Sequence, residues 1–183
     1  MPAPAPYALR VDFLAREALP TEGRLGLTRA PGRLEPGRSL DSDVRLREDL
    51  ETLARAHGAS RLVTLLQPQE LSKLGRVDLA ARRAGLRWRH FPIPDFNPPS
   101  SVEETGRLVR ELVRALRAGE TVVVHCWGGL GRTGTVAACL LVAAGASPDE
   151  ALGHVRAARP GAVEVASQEA FVDEFAAWSR EHP

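Results

Sequence analysis

The segment that most constrains this chain spans residues 121–133 and has the sequence TVVVHCWGGLGRT. It begins with a continuous apolar, β-branched run, which is typical of a buried strand in a parallel sheet. A loop with three glycines follows and contains Cys126 and Arg132, and a helix-forming run of Ala, Leu and Val comes next. The segment therefore predicts a strand at 121–125, a loop, and a helix at 133–144.

This loop is predicted to bind an anion. It lies at the amino end of a helix, where backbone N–H groups have no intrahelical partner and the helix dipole is positive. Gly128, Gly129 and Gly131 allow it to curl so that successive N–H groups point inward. Arg132 adds a planar guanidinium group suited to two phosphate oxygens. The same positive field favours the thiolate form of Cys126, which is the nucleophilic form.

The order of residues in this loop resembles the signature of the protein tyrosine phosphatase superfamily: His125 and Cys126, five residues, then Arg132 and Thr133. The sequence HCWGGLGRT is most similar to the kinase-associated phosphatase family of the dual-specificity group. The resemblance covers about residues 24–178. It includes the segments 27–32 (LTRAPG), 70–73 (ELSK), 90–95 (HFPIPD) and 160–163 (PGAV), followed by Gln168 and Phe171.

The resemblance implies a phosphatase that forms a cysteinyl-phosphate on Cys126. It implies that Thr133 donates a hydrogen bond to the thiolate, although a hydroxyl here also fits a helix start. It implies that His125 supports the loop and is not the base that ionises the thiol. The residues expected to hold the phosphate are Trp127, Gly128, Gly129, Leu130, Gly131 and Arg132.

A phosphate ester also needs an acid that protonates the leaving oxygen. Asp95 is the candidate because it lies in the proline-rich segment 92–99 (PIPDFNPP), directly after a predicted strand, and matches the family's acid. The alternative is a turn residue, since Asp among prolines commonly begins turns. Trp127 and Phe96 are predicted either to form a rim for an aryl phosphate or to lie in the core.

One residue departs from the family pattern. The family has a Gln after its Gly-Ala-aliphatic run, where it can position the hydrolytic water, but this chain has Glu164. We expect Glu164 to turn away from the loop, or to pair with Arg156 or Arg159. Gln168 matches a second family Gln, although it equally fits a solvated residue at a helix start. The group that positions the water is therefore left open.

Several classes of function compete with this interpretation. A phosphoprotein-binding module with little turnover would keep the loop, and the departure at Glu164 is compatible with it. An arsenate reductase would need resolving thiols, and Cys139 is placed among core residues. A sulfurtransferase would not need Arg132 and Asp95 together, and a nucleotide-binding loop would need Lys before its Thr. The uncharged loop favours a phosphorylated protein or peptide over phosphoinositides.

Composition sets the broad class. The chain has 183 residues, a net charge of +1 and two cysteines, so we expect no nucleic-acid partner, no disulfide framework, no metal site and no cofactor. The amino terminus has no signal-peptide pattern, and the longest apolar run, 136–144, is too short for a membrane span. We expect a cytoplasmic monomer without a membrane partner.

The alternation of predicted strands and helices indicates an α/β fold, with a central, mostly parallel sheet flanked by helices and the site at the carboxyl ends of the strands. Residues 1–20 are predicted as an N-terminal arm that includes a short strand, and residues 21–183 as a single domain. The predicted strands are 24–27, 61–66, 86–91 and 121–125. The predicted helices are 43–56, 70–83 with a break near 75, 101–118, 133–144, 148–159 and 168–180.

Overall fold

The described residues, 9–34 and 41–182 of this computed structural model, form one five-stranded sheet with helices on both faces. The strands are β1 (Val11–Phe13), β2 (Arg24–Thr28), β3 (Arg61–Thr64), β4 (Arg87–His90) and β5 (Thr121–His125). Their order is β1-β2-β5-β3-β4. Strands β2, β5, β3 and β4 are parallel, and β1 is antiparallel to β2. The predicted α/β class with a mostly parallel sheet is confirmed.

The described helices are α1 (Ser42–Arg55), α2 (Pro68–Leu71), α3 (Val77–Arg83), α4 (Val102–Arg117), α5 (Gly131–Ala143), α6 (Pro148–Ala158) and α7 (Ala166–Glu181). Side chains of Asp41, Ser101 and Ser147 cap α1, α4 and α6 by accepting hydrogen bonds from backbone N–H groups of the first turn. The segment predicted as one broken helix forms α2 and α3, separated around Gly75, whose φ is +88°. Helix α5 begins at residue 131, two residues before the predicted start.

The central strand β5 supplies side chains to both hydrophobic cores. Val122 and Val124 pack into the larger core, which includes residues of α4 to α7. Val123 points to the other face and packs with residues of α1 and α3. Alternation along one strand explains this division, because successive side chains of a strand point to opposite faces of the sheet. Burial on both faces accounts for the continuous apolar run in the sequence.

Residues 1–20 were predicted as an N-terminal arm, and the first eight of them lie outside the described residues. From Leu9 onward it packs into the domain: β1 joins the edge of the sheet, and Leu9, Leu14 and Leu19 are buried. Residues 9–20 are therefore continuous with the fold and do not form a separate arm. Among the described helices, none combines the length and apolarity needed to cross a bilayer.

Candidate active site

The glycine-rich loop lies at the centre of the sheet's carboxyl edge. It joins β5, which is flanked by β2 and β3, to α5, so it occupies the crevice where open α/β sheets commonly bind ligands. Cys126 is 3% exposed, and its sulfur accepts a hydrogen bond of 3.2 Å from the backbone N–H of Gly129. An amide that donates to the sulfur stabilises its thiolate form.

The guanidinium group of Arg132 is buried beside this loop, with 2% of the residue exposed. Its Nη1 and Nη2 atoms donate to Glu70 over 2.7 and 3.0 Å, and Nη1 also donates to the Ile93 carbonyl over 3.1 Å. Nη2 lies 2.8 Å from Asp95 Oδ1. Among the described residues, Nε has no hydrogen-bond partner. A buried donor of this kind fits a site that binds an anion.

Glu70 is a site residue that the sequence reasoning did not single out. It lies on α2, where it also accepts a 2.9 Å bond from the backbone N–H of Gln67. Burial raises the pKa of Glu70, but the hydrogen bonds from Arg132 and the Gln67 N–H, together with the nearby positive charges, outweigh burial and hold the pKa below its usual value. Burial lowers the pKa of Arg132, but the hydrogen bonds to Glu70 and the negative charges of Cys126, Glu70 and Asp95 together outweigh burial and raise the pKa. The pair keeps the guanidinium charged and fixed.

Asp95 reaches Arg132 from an exposed loop after β4, and its side chain is 58% exposed. Residues on either side anchor this loop: the N–H of Ile93 donates to Leu65 O over 3.0 Å, and the Asn97 side chain donates to Asp95 O over 2.8 Å. Asp95 is thus part of a turn and also lies against the phosphate-loop arginine. Its neighbour Phe96 was predicted to lie either at the rim of the site or in the core. Phe96 is 60% exposed, so it lies at the surface and not in the core.

His125 belongs to a buried hydrogen-bond network. Its Nδ1 faces the Cys126 carbonyl oxygen at 3.2 Å, so Nδ1 carries the proton and Nε2 accepts from Thr64 Oγ1 at 2.8 Å. The indole N–H of Trp88 donates to the same Thr64 oxygen over 2.9 Å. Burial lowers the pKa of His125 to about 4, so the ring is neutral at pH 7. This arrangement supports the loop backbone.

A family model described as the Swiss Army Knife protein DSP-PTPase phosphatase domain matches residues 31–172. The chain belongs to the dual-specificity protein tyrosine phosphatase family. Cyclin-dependent kinase inhibitor 3 of Rattus norvegicus is 32% identical to it over 174 residues, which cover 91% of this chain and 78% of that protein. Protein tyrosine phosphatase domain-containing protein 1 of Bos taurus is 32% identical over 132 residues, but the match spans only 16% of its length.

Two solved phosphatase structures superpose on nearly the whole chain. Kinase associated phosphatase, with serine replacing its catalytic-site cysteine, has a TM-score of 0.85 and 25% identity, covering 98% of this chain and 100% of its own. Tk-PTP in its active form has a TM-score of 0.73 and 32% identity, covering 91% of this chain and 96% of its own. The resemblance found in the loop therefore extends to the fold.

Glu164 lies where the family resemblance implies a water-positioning Gln, and the structure corrects both of our expectations for this residue. The carboxylate does not turn away: its Oε2 accepts a 2.8 Å bond from the Gly131 N–H, at the first residue of α5. It does not pair with either arginine, because Arg156 pairs with Glu169 and Arg159 with Asp12. The Glu164 carboxylate thus accepts the hydrogen bond of one backbone N–H, that of Gly131, which would otherwise be available to a bound anion.

Gln168 is completely buried, although its sequence position also fitted a solvated residue. Its Oε1 accepts from the Glu164 backbone N–H over 3.0 Å, and its Nε2 donates to Asn97 O over 3.3 Å. Gln168 therefore connects the Glu164 loop to the Asp95 loop. Thr133 is also buried, and within the described part of the chain its hydroxyl has no hydrogen-bond partner, so it is not engaged in helix capping.

The rim beside Trp127 carries charge that the loop sequence lacks. Trp127 is half-buried, and Lys73 Nζ and Arg33 Cζ lie 5.8 and 5.6 Å from the centroid of its ring. The Trp127 carbonyl accepts from the Ala30 N–H over 3.1 Å. The fold thus brings two cations to the loop from distant parts of the chain.

Proposed function

We propose that this protein hydrolyses phosphotyrosine monoesters in proteins or peptides through a cysteinyl-phosphate on Cys126. Phosphoserine and phosphothreonine monoesters are a second candidate substrate class, and their hydrolysis should be measured beside that of phosphotyrosine. The observation that carries the proposal is the buried Arg132 guanidinium, with its unpartnered Nε, at the end of the loop that begins with Cys126. Membership of the dual-specificity family supports it.

In the first step the Cys126 thiolate attacks phosphorus, a P–S bond forms, and the bond between phosphorus and the ester oxygen breaks. The loop amides and Arg132 bind the equatorial oxygens as charge shifts onto them. Asp95, which lies within contact of Arg132, donates a proton to the leaving oxygen. This step needs the carboxyl group in its protonated form, so phosphate must displace it from the guanidinium.

In the second step a water molecule attacks phosphorus and the P–S bond breaks. The Asp95 carboxylate accepts the proton of that water, and the Cys126 sulfur leaves as a thiolate. The buried hydroxyl of Thr133, which has no other partner among the described residues, donates to this thiolate. Gln168 ties the loops of Asp95 and Glu164 together, and so it fixes the geometry on the side that water approaches.

The direct test is hydrolysis of p-nitrophenyl phosphate and a phosphotyrosine peptide, in the presence of a chelator. We expect turnover by the wild type and none by Cys126→Ser, while both proteins bind inorganic phosphate. Cys139→Ser is the matched control, because that thiol is buried among core residues and burial raises its pKa out of the reactive range. Equal turnover by the wild type and Cys126→Ser would contradict the proposal.

The bond between Glu164 and Gly131 N–H favours a second candidate, a phosphoprotein-binding module with little turnover. A carboxylate at this amide competes with a phosphoryl group and disfavours hydrolysis of a phosphocysteine by like-charge repulsion. Glu164→Gln keeps an acceptor there but removes the charge. The enzyme proposal expects kcat/KM to rise between about twofold and fivefold, as for an exposed charge pair. A wild type that binds phosphopeptide without turnover would establish the module instead.

Relatives of this chain suggest where its substrates lie. One is named cyclin-dependent kinase inhibitor 3, a name that links that protein to a kinase. We propose phosphorylated proteins of signalling pathways as the substrate class for this chain. The cations of Lys73 and Arg33 at the loop rim support substrates with negative charge near the phosphorylated residue. Peptides that differ only in flanking acidic residues measure this preference.

A further inference from the structure

Arg159 contacts the back of the phosphate loop, although it was not among the site residues predicted from the sequence. It lies just after α6, and its Nε and Nη2 atoms donate to the carbonyl oxygens of Gly129 and Gly128 over 2.5 and 2.9 Å. Its Nη1 donates to Asp12 Oδ2 over 2.6 Å. The side chains of Arg159 and Asp12 are only 13% and 11% exposed. The planar guanidinium therefore joins two loop carbonyls to one carboxylate.

These contacts fix the orientation of one peptide group. The carbonyl of Gly128 and the N–H of Gly129 belong to the same planar unit. Arg159 donates to the carbonyl oxygen of this peptide group, and the N–H of the same group donates to the Cys126 sulfur over 3.2 Å. Because neither glycine has a Cβ, this peptide group is easier to rotate than one between larger residues. A rotated peptide would turn a carbonyl oxygen toward the thiolate, and the bond from Arg159 opposes that rotation.

We propose that Asp12 and Arg159 form a brace that holds the Gly128–Gly129 peptide in its anion-binding orientation. Both are positioning residues, since neither is proposed to touch the substrate. The inference rests on the proposed phosphatase function and extends the site to the N-terminal strand β1. The family model begins at residue 31, so Asp12 and β1 lie outside it, whereas Arg159 lies inside. In this proposal the N-terminal strand helps to position the phosphate loop.

Asp12 acts through Arg159. Its other oxygen contacts Arg10 over 2.6 Å, but the Arg10 side chain is 79% exposed, and exposed ion pairs contribute little. Asp12 neutralises Arg159 and fixes the direction of its guanidinium group. The brace therefore works by geometry and adds little net charge behind the loop. This distinction predicts that removing Asp12 has no further effect once Arg159 is gone.

The test compares Arg159→Met, Arg159→Lys, Asp12→Asn and the double variant with Asp12→Asn in the Arg159→Met background. The matched control is Arg61→Met, which removes an arginine of similar burial, 14% exposed, that pairs with Glu111. Arg61 begins β3, so it lies at the opposite edge of the sheet from the loop. The measurements are the Kd of inorganic phosphate, kcat/KM with p-nitrophenyl phosphate, the thermal midpoint, and the NMR shift of the Gly129 amide.

We expect Arg159→Met to raise the phosphate Kd between about tenfold and a hundredfold and to move the Gly129 resonance, as the loss of a charge-assisted hydrogen bond implies. Arg159→Lys restores part of the loss. Asp12→Asn raises the Kd less, and in the double variant it adds nothing. Arg61→Met lowers the thermal midpoint without changing the phosphate Kd or the Gly129 resonance.

The brace is refuted if Arg159→Met binds phosphate within twofold of the wild type with an unmoved Gly129 resonance. It is also refuted if the effects of Asp12→Asn and Arg159→Met simply add. Where Arg159→Met does not fold, Arg159→Lys and Asp12→Asn decide by the same measurements. If the wild type lacks turnover, the proposed function fails, but the Gly129 resonance still decides whether the brace exists.

Discussion

At the scale of single residues, Gly129 is the position where the phosphate loop tolerates least change. Its φ is +76°, and a Cβ built there would lie 2.3 Å from the Thr28 carbonyl oxygen. The neighbouring Gly128 differs in both respects, since its φ is not positive and a Cβ there would meet nothing within 4 Å. The sequence does not distinguish the two glycines, but only at Gly129 do the backbone conformation and the close contact with Thr28 require a residue without a Cβ.

We therefore predict that Gly129→Ala lowers the free energy of unfolding by at least about 2 kcal/mol, through the left-handed backbone and the clash with β2. It should also abolish phosphate binding, because the Gly129 amide would move away from Cys126. Gly128→Ala is the control and should change stability by less than about 1 kcal/mol. Urea denaturation of both variants measures this difference, and similar losses in the two would contradict it.

Asp95 is predicted to act in proton transfer more than in binding. Replacing it by Ala should lower kcat with a phosphotyrosine peptide by about 100-fold, the lower end of general-acid contributions, and leave KM nearly unchanged. An aryl phosphate whose leaving group needs no proton should lose much less. Steady-state kinetics with the two substrates tests this, and equal losses for both would argue against Asp95 as the acid.

His125 makes stability depend on pH. Its pKa is about 4 in the folded protein because of burial, against 6.5 when unfolded, so the folded state binds fewer protons between these values. Its contribution is fully present above pH 6.5 and is lost as the pH falls toward 4, in total about 3 kcal/mol. Unfolding experiments at pH 7.5 and 4.5 should show a smaller decrease for His125→Asn than for the wild type. Equal decreases would contradict this role.

At the scale of secondary-structure elements, the predicted starts of α1, α4 and α6 lie within one residue of the observed ones, whereas the start of α5 was predicted two residues too late. Asp41, Ser101 and Ser147 cap their helices because capping depends on residues a few positions apart. Helix α5 starts at Gly131, earlier than predicted, because the glycine-rich sequence conceals that its backbone is already helical. Arg132 therefore lies within the first turn, and its side chain is directed by the helix.

The packing of α4 on α7 depends on a glycine inside α4. A Cβ on Gly106 would lie 2.2 Å from the Trp178 ring, so Gly106→Ala should displace α7 and cost about 1–3 kcal/mol of unfolding free energy. Gly153→Ala in α6 is the matched control. Its Cβ would meet nothing within 4 Å, and it should stabilise the protein by about 0.5–1 kcal/mol. Opposite signs in thermal or urea denaturation are expected, and equal signs would contradict this packing.

At the scale of the whole molecule, the site is assembled from side chains that are far apart in the chain. Glu70 binds Arg132 across 62 positions, and Asp12 binds Arg159 across 147. Sequence patterns fix periodicity and local motifs, so they predicted the sheet, the loop and the segment of Asp95. They do not specify which charged side chains meet in the fold. For that reason Glu70, Arg159 and the contact of Glu164 emerged only from the structure.

The central claim is that Cys126 becomes phosphorylated during turnover. The most direct measurement is mass spectrometry of the protein quenched in acid within milliseconds of mixing with p-nitrophenyl phosphate. The account predicts that the wild type gains the mass of one phosphoryl group on the peptide containing Cys126, and that Cys126→Ser gains none. Turnover without any phosphorylated Cys126 peptide, or a phosphoryl group on another residue, would contradict it.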